Sequence, residues 1–213
     1  MSWVAENRTL TQAEMENNAD IIIAYYRSLN YSDKTIASIL GNMQAESSIS
    51  PVRTEIGGSG YGLVQWTPVS KLQNHCTTLN LSPYTSGDVQ INVLDKEIGT
   101  SSVNEWYTTS AFINNYTSSG ATSDMIGVTP SQYKTNSINF SVDKLTILFM
   151  VGYERPSYDP NVNHIATRKT YARNWYEYIS GQPVPPEPPV PPTPSYSEIV
   201  RRGRRAVIFF KNR

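Results

Sequence analysis

Glu46 is the one acidic residue in the stretch GNMQAESSISP, residues 41–51. Before it, Ile36, Ile39, Leu40 and Met43 recur at the three- and four-residue spacing that gathers apolar side chains on one helix face. Ser32 supplies an N-cap, and Ser47, Ser48 and Pro51 close the helix. Glu46 therefore falls in the last turn, where the partial negative charge of the helix terminus and the adjoining apolar face both disfavour an ionised carboxylate. A carboxylic acid held protonated in a cleft is what cleavage of a glycosidic bond requires, because the leaving oxygen must gain a proton. The competing reading is a solvated glutamate at a helix end, and the residues that follow weigh against it.

After a short connection comes EIGGSGYGLVQWTP, residues 55–68. Gly57, Gly58, Gly60 and Gly62 allow tight turns and close backbone approach, so the segment reads as a small hairpin or loop lining a groove. Tyr61, Gln65 and the Gly60 backbone are candidates for contact with sugar hydroxyl or N-acetyl groups. Trp66 either stacks on a sugar or fills the core, and the core is the preferred reading. Glycosidases commonly use two carboxyl groups, about 5 Å apart when configuration is retained and roughly 6.5–9.5 Å when it is inverted. Glu55, at the entrance of the loop, is the leading candidate for the second; its alternative is an exposed loop residue. Glu154 and Arg155, in GYERP at residues 152–156, read as a structural motif in which Glu154 makes an ion pair or caps a helix.

These residues need a scaffold, and the pattern around them is helical. Thr11 and Glu14 form a capping box opening a helix that presents Met15, Ala19, Ile22, Ile23, Tyr26 and Leu29 and ends near Asn30. With the helix leading to Glu46 it makes a helical hairpin. Pro68 to Leu79 and a segment through Val89, Val93, Leu94 and Ile98 read as further helices around a turn at Leu81 to Gly87. Trp106, Phe112 and Tyr116 predict one helix in a loose region, and Ser131 to Ser137 a short one. Ser141 opens a helix running to Gly152 that is apolar nearly all round and hence central. Asn161 to Ile179 forms the last, with Ile165, Arg168, Tyr171, Ala172 and Trp175 on one face. The fold class is mainly α, with the Gly-rich hairpin inserted after the second helix.

The composition then changes. Residues 182–194 are proline-rich and form a semi-rigid extended spacer. Residues 195–213 carry Arg201, Arg202, Arg204, Arg205, Lys211 and Arg213 around an apolar AVIFF run at 206–210, too short to be a domain. This tail docks into a partner, lies on an anionic surface or has no fixed structure; docking is the preferred reading. The domain boundary falls at Gly181, giving one domain over residues 1–181.

The GNMQAES and GYGLVQWTP segments, with GYERP later, resemble the phage tail lysozyme family, the lysozyme-like peptidoglycan hydrolase domain of tail-tip proteins in phages of Gram-positive bacteria. The resemblance runs from about Leu10 to Gly181. It implies a lysozyme-like helical fold, cleavage of the β-1,4 bond between N-acetylmuramic acid and N-acetylglucosamine, and a general acid that carries over onto Glu46 alone. It also implies a place in the virion, contacts with other tail proteins, and action on the wall during infection. A lytic transglycosylase would use the same glutamate, and an endolysin would act at release instead. From a different class, a non-catalytic tail or wall-binding module on this fold is the alternative.

Other classes find little support. The 18 basic residues balance the 18 acidic ones, so there is no net pull toward nucleic acid. No apolar run reaches the roughly 18 residues of a membrane span, and the first residues lack the basic start and apolar stretch of a secretory signal. Cys76 is the single cysteine, which excludes an internal disulfide. His75 and His164 are the only histidines, with no zinc-binding spacing, so neither a metal nor another cofactor is expected. A Cys76–His peptidase would need His164, since His75 is its immediate neighbour and adjacent helical residues do not face each other. Both histidines read as structural.

Overall fold

The computed structural model describes residues 2–99 and 101–181, so the expected spacer at 182–194 and tail at 195–213 lie outside the described residues. The mainly α class is observed. The helices are α1 (Gln12–Ser28), α2 (Asp33–Ser47), α3 (Val69–Leu79), α4 (Gly87–Glu97), α5 (Ser110–Ile113), α6 (Pro130–Thr135), α7 (Val142–Phe149) and α8 (Ile165–Ser180). Short 3-10 turns at Ser101–Val103, Asn114–Ser119 and Ser123–Met125 occupy the region between α4 and α6, and a π turn, Met150–Glu154, extends α7. The Gly-rich hairpin is reduced to two isolated antiparallel bridges, Thr54 with Tyr61 and Tyr61 with Trp66.

Local chemistry accounts for most of the boundaries. At α1 the Thr11 N–H donates to Glu14 Oε2 at 2.8 Å while Thr11 Oγ1 accepts from the Glu14 N–H, the expected reciprocal cap. Ser32 Oγ accepts from the Thr35 N–H at 3.1 Å to open α2. Ser48 ends α2 in the left-handed conformation. Ile49 follows at φ 57, an uncommon conformation for a β-branched residue, retained because its side chain is fully buried and its carbonyl accepts from Asn18 Nδ2 at 2.9 Å.

Two expectations need correction. Trp106 does not share a helix with Phe112 and Tyr116. Its ring packs 4.7 Å from that of Tyr133 and its Nε1 donates to the Val128 carbonyl at 2.9 Å, so Trp106 anchors a non-helical stretch before α5 to the core. The last helix begins at Ile165 rather than Asn161. Asp159 Oδ1 accepts from the Asn161 N–H at 2.9 Å and His164 takes a left-handed φ of 56°, a side-chain-held turn that competes with helix. The winding that follows α7 ends, as expected, within the GYERP segment: it runs to Glu154, and Arg155 turns left-handed before Pro156.

The core is organised on α2 together with the expected central α7. α2 is buried along most of its length and packs mainly against α8 and α7, with a lesser contact to α1. The α2–α8 approach is closest at Gly41, where a Cβ would lie 2.6 Å from both Ala172 Cβ and the Ala172 backbone nitrogen. Two residues on, Met43 is fully buried, and Gln44 Oε1 accepts from Trp175 Nε1 at 2.9 Å. The first part of the GNMQAES motif is thus a helix-packing surface. Gly41→Ala should destabilise the fold by about 1–3 kcal/mol, the usual cost of overpacking. A shift of the urea midpoint to lower concentration measures it, and an unchanged midpoint would show that α8 can move away freely.

Candidate active site

Glu46, in the last turn of α2, faces a cavity of about 550 Å³, within the usual size range of small-molecule sites. Its walls come from three places: Glu46 on α2; the segment through Arg53, Glu55, Ile56, Gln65 and Trp66; and Tyr153 with Glu154 on the π turn, with Lys71 of α3 at one side. Ser47 Oγ donates to the Leu63 carbonyl at 2.9 Å, fastening the end of α2 to the loop.

The apolar setting expected for Glu46 is not what surrounds it. Arg168 NH2 donates to Glu46 Oε1, and Arg168 NH1 lies 3.4 Å from Glu154 Oε2. The same guanidinium donates to Asn42 Oδ1 at 3.0 Å and, through Nε, to the Asn163 carbonyl at 2.9 Å. Burial opposes the Arg168 charge, but Glu154 and Glu46 together hold its pKa above the ordinary arginine value. Glu154 is pushed well above the ordinary carboxyl range, first by burial and then by the negative charge of Glu46, with Arg168 opposing. Its Oε1 is buried and makes no hydrogen bond of good geometry. Glu154 thus contacts Arg168 and not the neighbouring Arg155. Arg155 instead donates from NH2 to Glu105 Oε2 at 2.7 Å and from NH1 to the Glu105 carbonyl at 2.6 Å, clamping the end of the π turn.

The loop residues divide. Glu55 is exposed and lines the cavity, and its Oε2 accepts from the Gly60 N–H at 3.0 Å. Gln65 also lines it, with Nε2 donating to the Gly62 carbonyl at 2.9 Å and the Arg53 carbonyl at 3.1 Å. Tyr61 and Gly60 stand outside the lining, Tyr61 packing edge-on against Tyr84 with ring centres 5.5 Å apart. Trp66 is a core residue, as preferred, and donates from Nε1 to both oxygens of Glu97 at 2.9–3.0 Å. Glu97 is fully buried and also meets His75 Nδ1 at 2.5 Å and the Tyr153 hydroxyl. Gln90, buried on α4, accepts from the Leu63 N–H at 3.0 Å and donates to the Pro51 carbonyl at 2.7 Å. These two α4 residues hold a loop that has no sheet to support it.

The peptidase reading finds no geometry. Burial and the charge of Glu97 push the Cys76 thiol up, away from a reactive thiolate, and His164 is exposed at the start of α8. Among the described residues, no three His, Cys, Asp or Glu side chains gather as a metal-ligand set, and no helix is long and apolar enough to cross a membrane.

The family profile described as phage tail lysozyme matches residues 17–179. The chain belongs to the phage tail lysozyme family. The matched span contains every residue placed around the cavity above, from Glu46 to Arg168. "Morphogenesis protein 1" of Bacillus phage B103 is 29% identical over 185 residues, covering 84% of this chain and 44% of that protein. The chain thus spans less than half the length of this relative. In this chain, sequence reasoning missed Arg168 as a partner of Glu46. The signal was available: an arginine at an inward register between Ile165 and Ala172 is a buried cation that must find anions.

Because folding raises the proton affinity of Glu154, its stabilising contribution is full below its ordinary value of 4.5 and is lost as pH rises through the elevated folded value. Glu154→Gln removes that loss. The melting temperature of the wild type should fall relative to Glu154→Gln as pH is raised above 4.5, read by calorimetry across pH. A constant difference between the two proteins would show that Glu154 ionises normally.

Proposed function

We propose that this phage tail lysozyme is a peptidoglycan glycosidase of the virion, hydrolysing the β-1,4 bond between N-acetylmuramic acid and N-acetylglucosamine with Glu46 as proton donor. The observation that carries the reading is the placement of Glu46. It is a carboxyl group at a rigid helix end, in the wall of a cavity, with 21% of its side chain exposed against 6% for Glu154. A glycosidic oxygen in the cavity can reach the first far more readily than the second. Family membership supports the same chemistry, and the Bacillus phage relative is in line with a Gram-positive wall as substrate.

In this mechanism Glu46 protonates the leaving oxygen, an oxocarbenium-like state develops, and water captures it. Glu55 is the proposed second carboxylate; with one oxygen engaged by Gly60, its role is electrostatic support or orientation of water. Gln65 presents a cavity-lining amide to sugar substituents. Lys71 and Arg53 add positive charge to walls that already hold carboxylates, suiting a glycan that bears anionic groups. Residues 1–181 are proposed as the catalytic unit, 182–194 as its spacer and 195–213 as the attachment to other tail proteins, acting at entry.

Glu46→Gln retains an acceptor for Arg168 but has no proton to give. It should lower release of sugar fragments from purified wall by at least about 100-fold, the lower end of what a general acid contributes, while melting within a few degrees of wild type. Mass spectrometry of the fragments checks it. Reducing muramic acid ends made only by the wild type support hydrolysis; 1,6-anhydro ends would replace it with transglycosylation. Full activity in the variant, or none in either protein, would remove the catalytic reading and leave a wall-binding module.

A further inference from the structure

Two carboxyl groups, Glu46 and Glu154, converge on one guanidinium in the cavity wall. Glu46 is partly open to the cavity, whereas Glu154 is closed off and carries an oxygen without a hydrogen-bond partner. If both ionise, Arg168 neutralises one charge and the other is left buried, where an unpaired carboxylate costs far more than in water. With a single proton on the pair, the cluster is neutral. We propose that Glu46 and Glu154 share one proton under Arg168, with Glu154 as the positioning residue that retains it and Glu46 as the group that delivers it. This rests on the glycosidase reading of the same cavity.

The remaining surroundings favour that state. Glu154 is faced by Glu46 from α2, Arg168 from α8 and the Tyr133 phenol from α6, with Tyr153 beside it on the π turn. Both tyrosines are buried and stay neutral. Glu97 accepts a hydrogen bond from the Tyr153 hydroxyl, and Glu105 adds negative charge near it. Among the described residues Arg168 is the cation paired with both Glu46 and Glu154, and one shared proton completes the balance of these three groups. The π turn has a part in this, since the wider winding at Met150–Glu154 ends α7 with Glu154 at the cavity.

The proton balance closes over a turnover. Glu46 gives its proton to the glycosidic oxygen as the sugar carbon–oxygen bond breaks, and the bonding electron pair leaves with that oxygen. That proton is the shared one, passed from Glu154 to Glu46 before it is delivered, so its transfer leaves both carboxylates ionised beside Arg168. Water then adds to the oxocarbenium carbon, and the proton it sheds returns to the pair. The apparent titration belongs to the two carboxyls together.

The test is the pH profile of kcat on purified peptidoglycan for wild type, Glu154→Gln and Glu46→Gln, with carboxyl carbon-13 NMR on the same proteins. In Glu154→Gln the remaining carboxyl faces Arg168 without a like charge, so the alkaline limb should move to lower pH by about one unit or more. An alkaline limb at the wild-type position, whatever the height of the plateau, would make Glu154 merely structural and overturn the proposal. NMR needs no turnover: in Glu46→Gln the Glu154 resonance should titrate at lower pH than in wild type, and an unchanged midpoint would also overturn it. Activity retained in Glu46→Gln would instead defeat the glycosidase reading, while the NMR result would still decide whether the carboxyls share a proton.

Discussion

A buried guanidinium is the constraint around which this structure is arranged. Arg168 lies in the interior side of α8, and taking its charge out of water is costly unless every N–H meets an acceptor. Its four partners come from three places: Asn42 and Glu46 on α2, Glu154 on the π turn, and the Asn163 carbonyl ahead of α8. None of these can withdraw without leaving a buried N–H of Arg168 short of an acceptor. The bare backbone at Gly41 lets α8 come near enough to α2 for the network to form, and the Trp175–Gln44 bond holds the next turn. Packing and electrostatics therefore impose the same helix spacing.

A second buried charge, the Glu97 carboxylate, plays the corresponding part on the other side of the cavity. It joins α4 to the loop through Trp66, to α3 through His75 and to the π turn through Tyr153. The π turn is thus gripped at both of its cavity residues, Tyr153 by Glu97 and Glu154 by Arg168. Burial and Glu97 keep the Tyr153 phenol protonated, so it serves as a hydrogen-bond donor and not as an acid near neutrality. Removing one partner from such a network costs more than the bond itself, because the other polar groups remain buried.

The two walls of the cavity differ in how firmly they are held. Glu46 stands on a helix buried along most of its length, and Ser47 ties its end to Leu63. Residues 54–59 of the loop are exposed, with Ile56 90% accessible, and few apolar contacts restrain them. A rigid wall carrying Glu46 and an exposed loop opposite the buried network fit the polymeric substrate proposed for this cavity.

Much of this was legible in the sequence. The apolar spacing before Glu46, the Thr11–Glu14 and Ser32 caps and the Gly-rich interruption are local features, governed by residues within one or two turns of each other. They determined helix positions, the place of Glu46 in a last turn and the mainly α class. The sequence also marked Glu55, Gln65 and Glu154, though not which of them would meet. Only the tertiary structure decided that Glu46 and Glu154, 108 positions apart in the chain, converge on Arg168, that Tyr61 turns away from the cavity, and that Trp106 leaves its expected helix for the core. The reason is physical: periodicity reports how one segment satisfies its own backbone, whereas a buried charge is satisfied by whichever distant group the folded chain brings within reach.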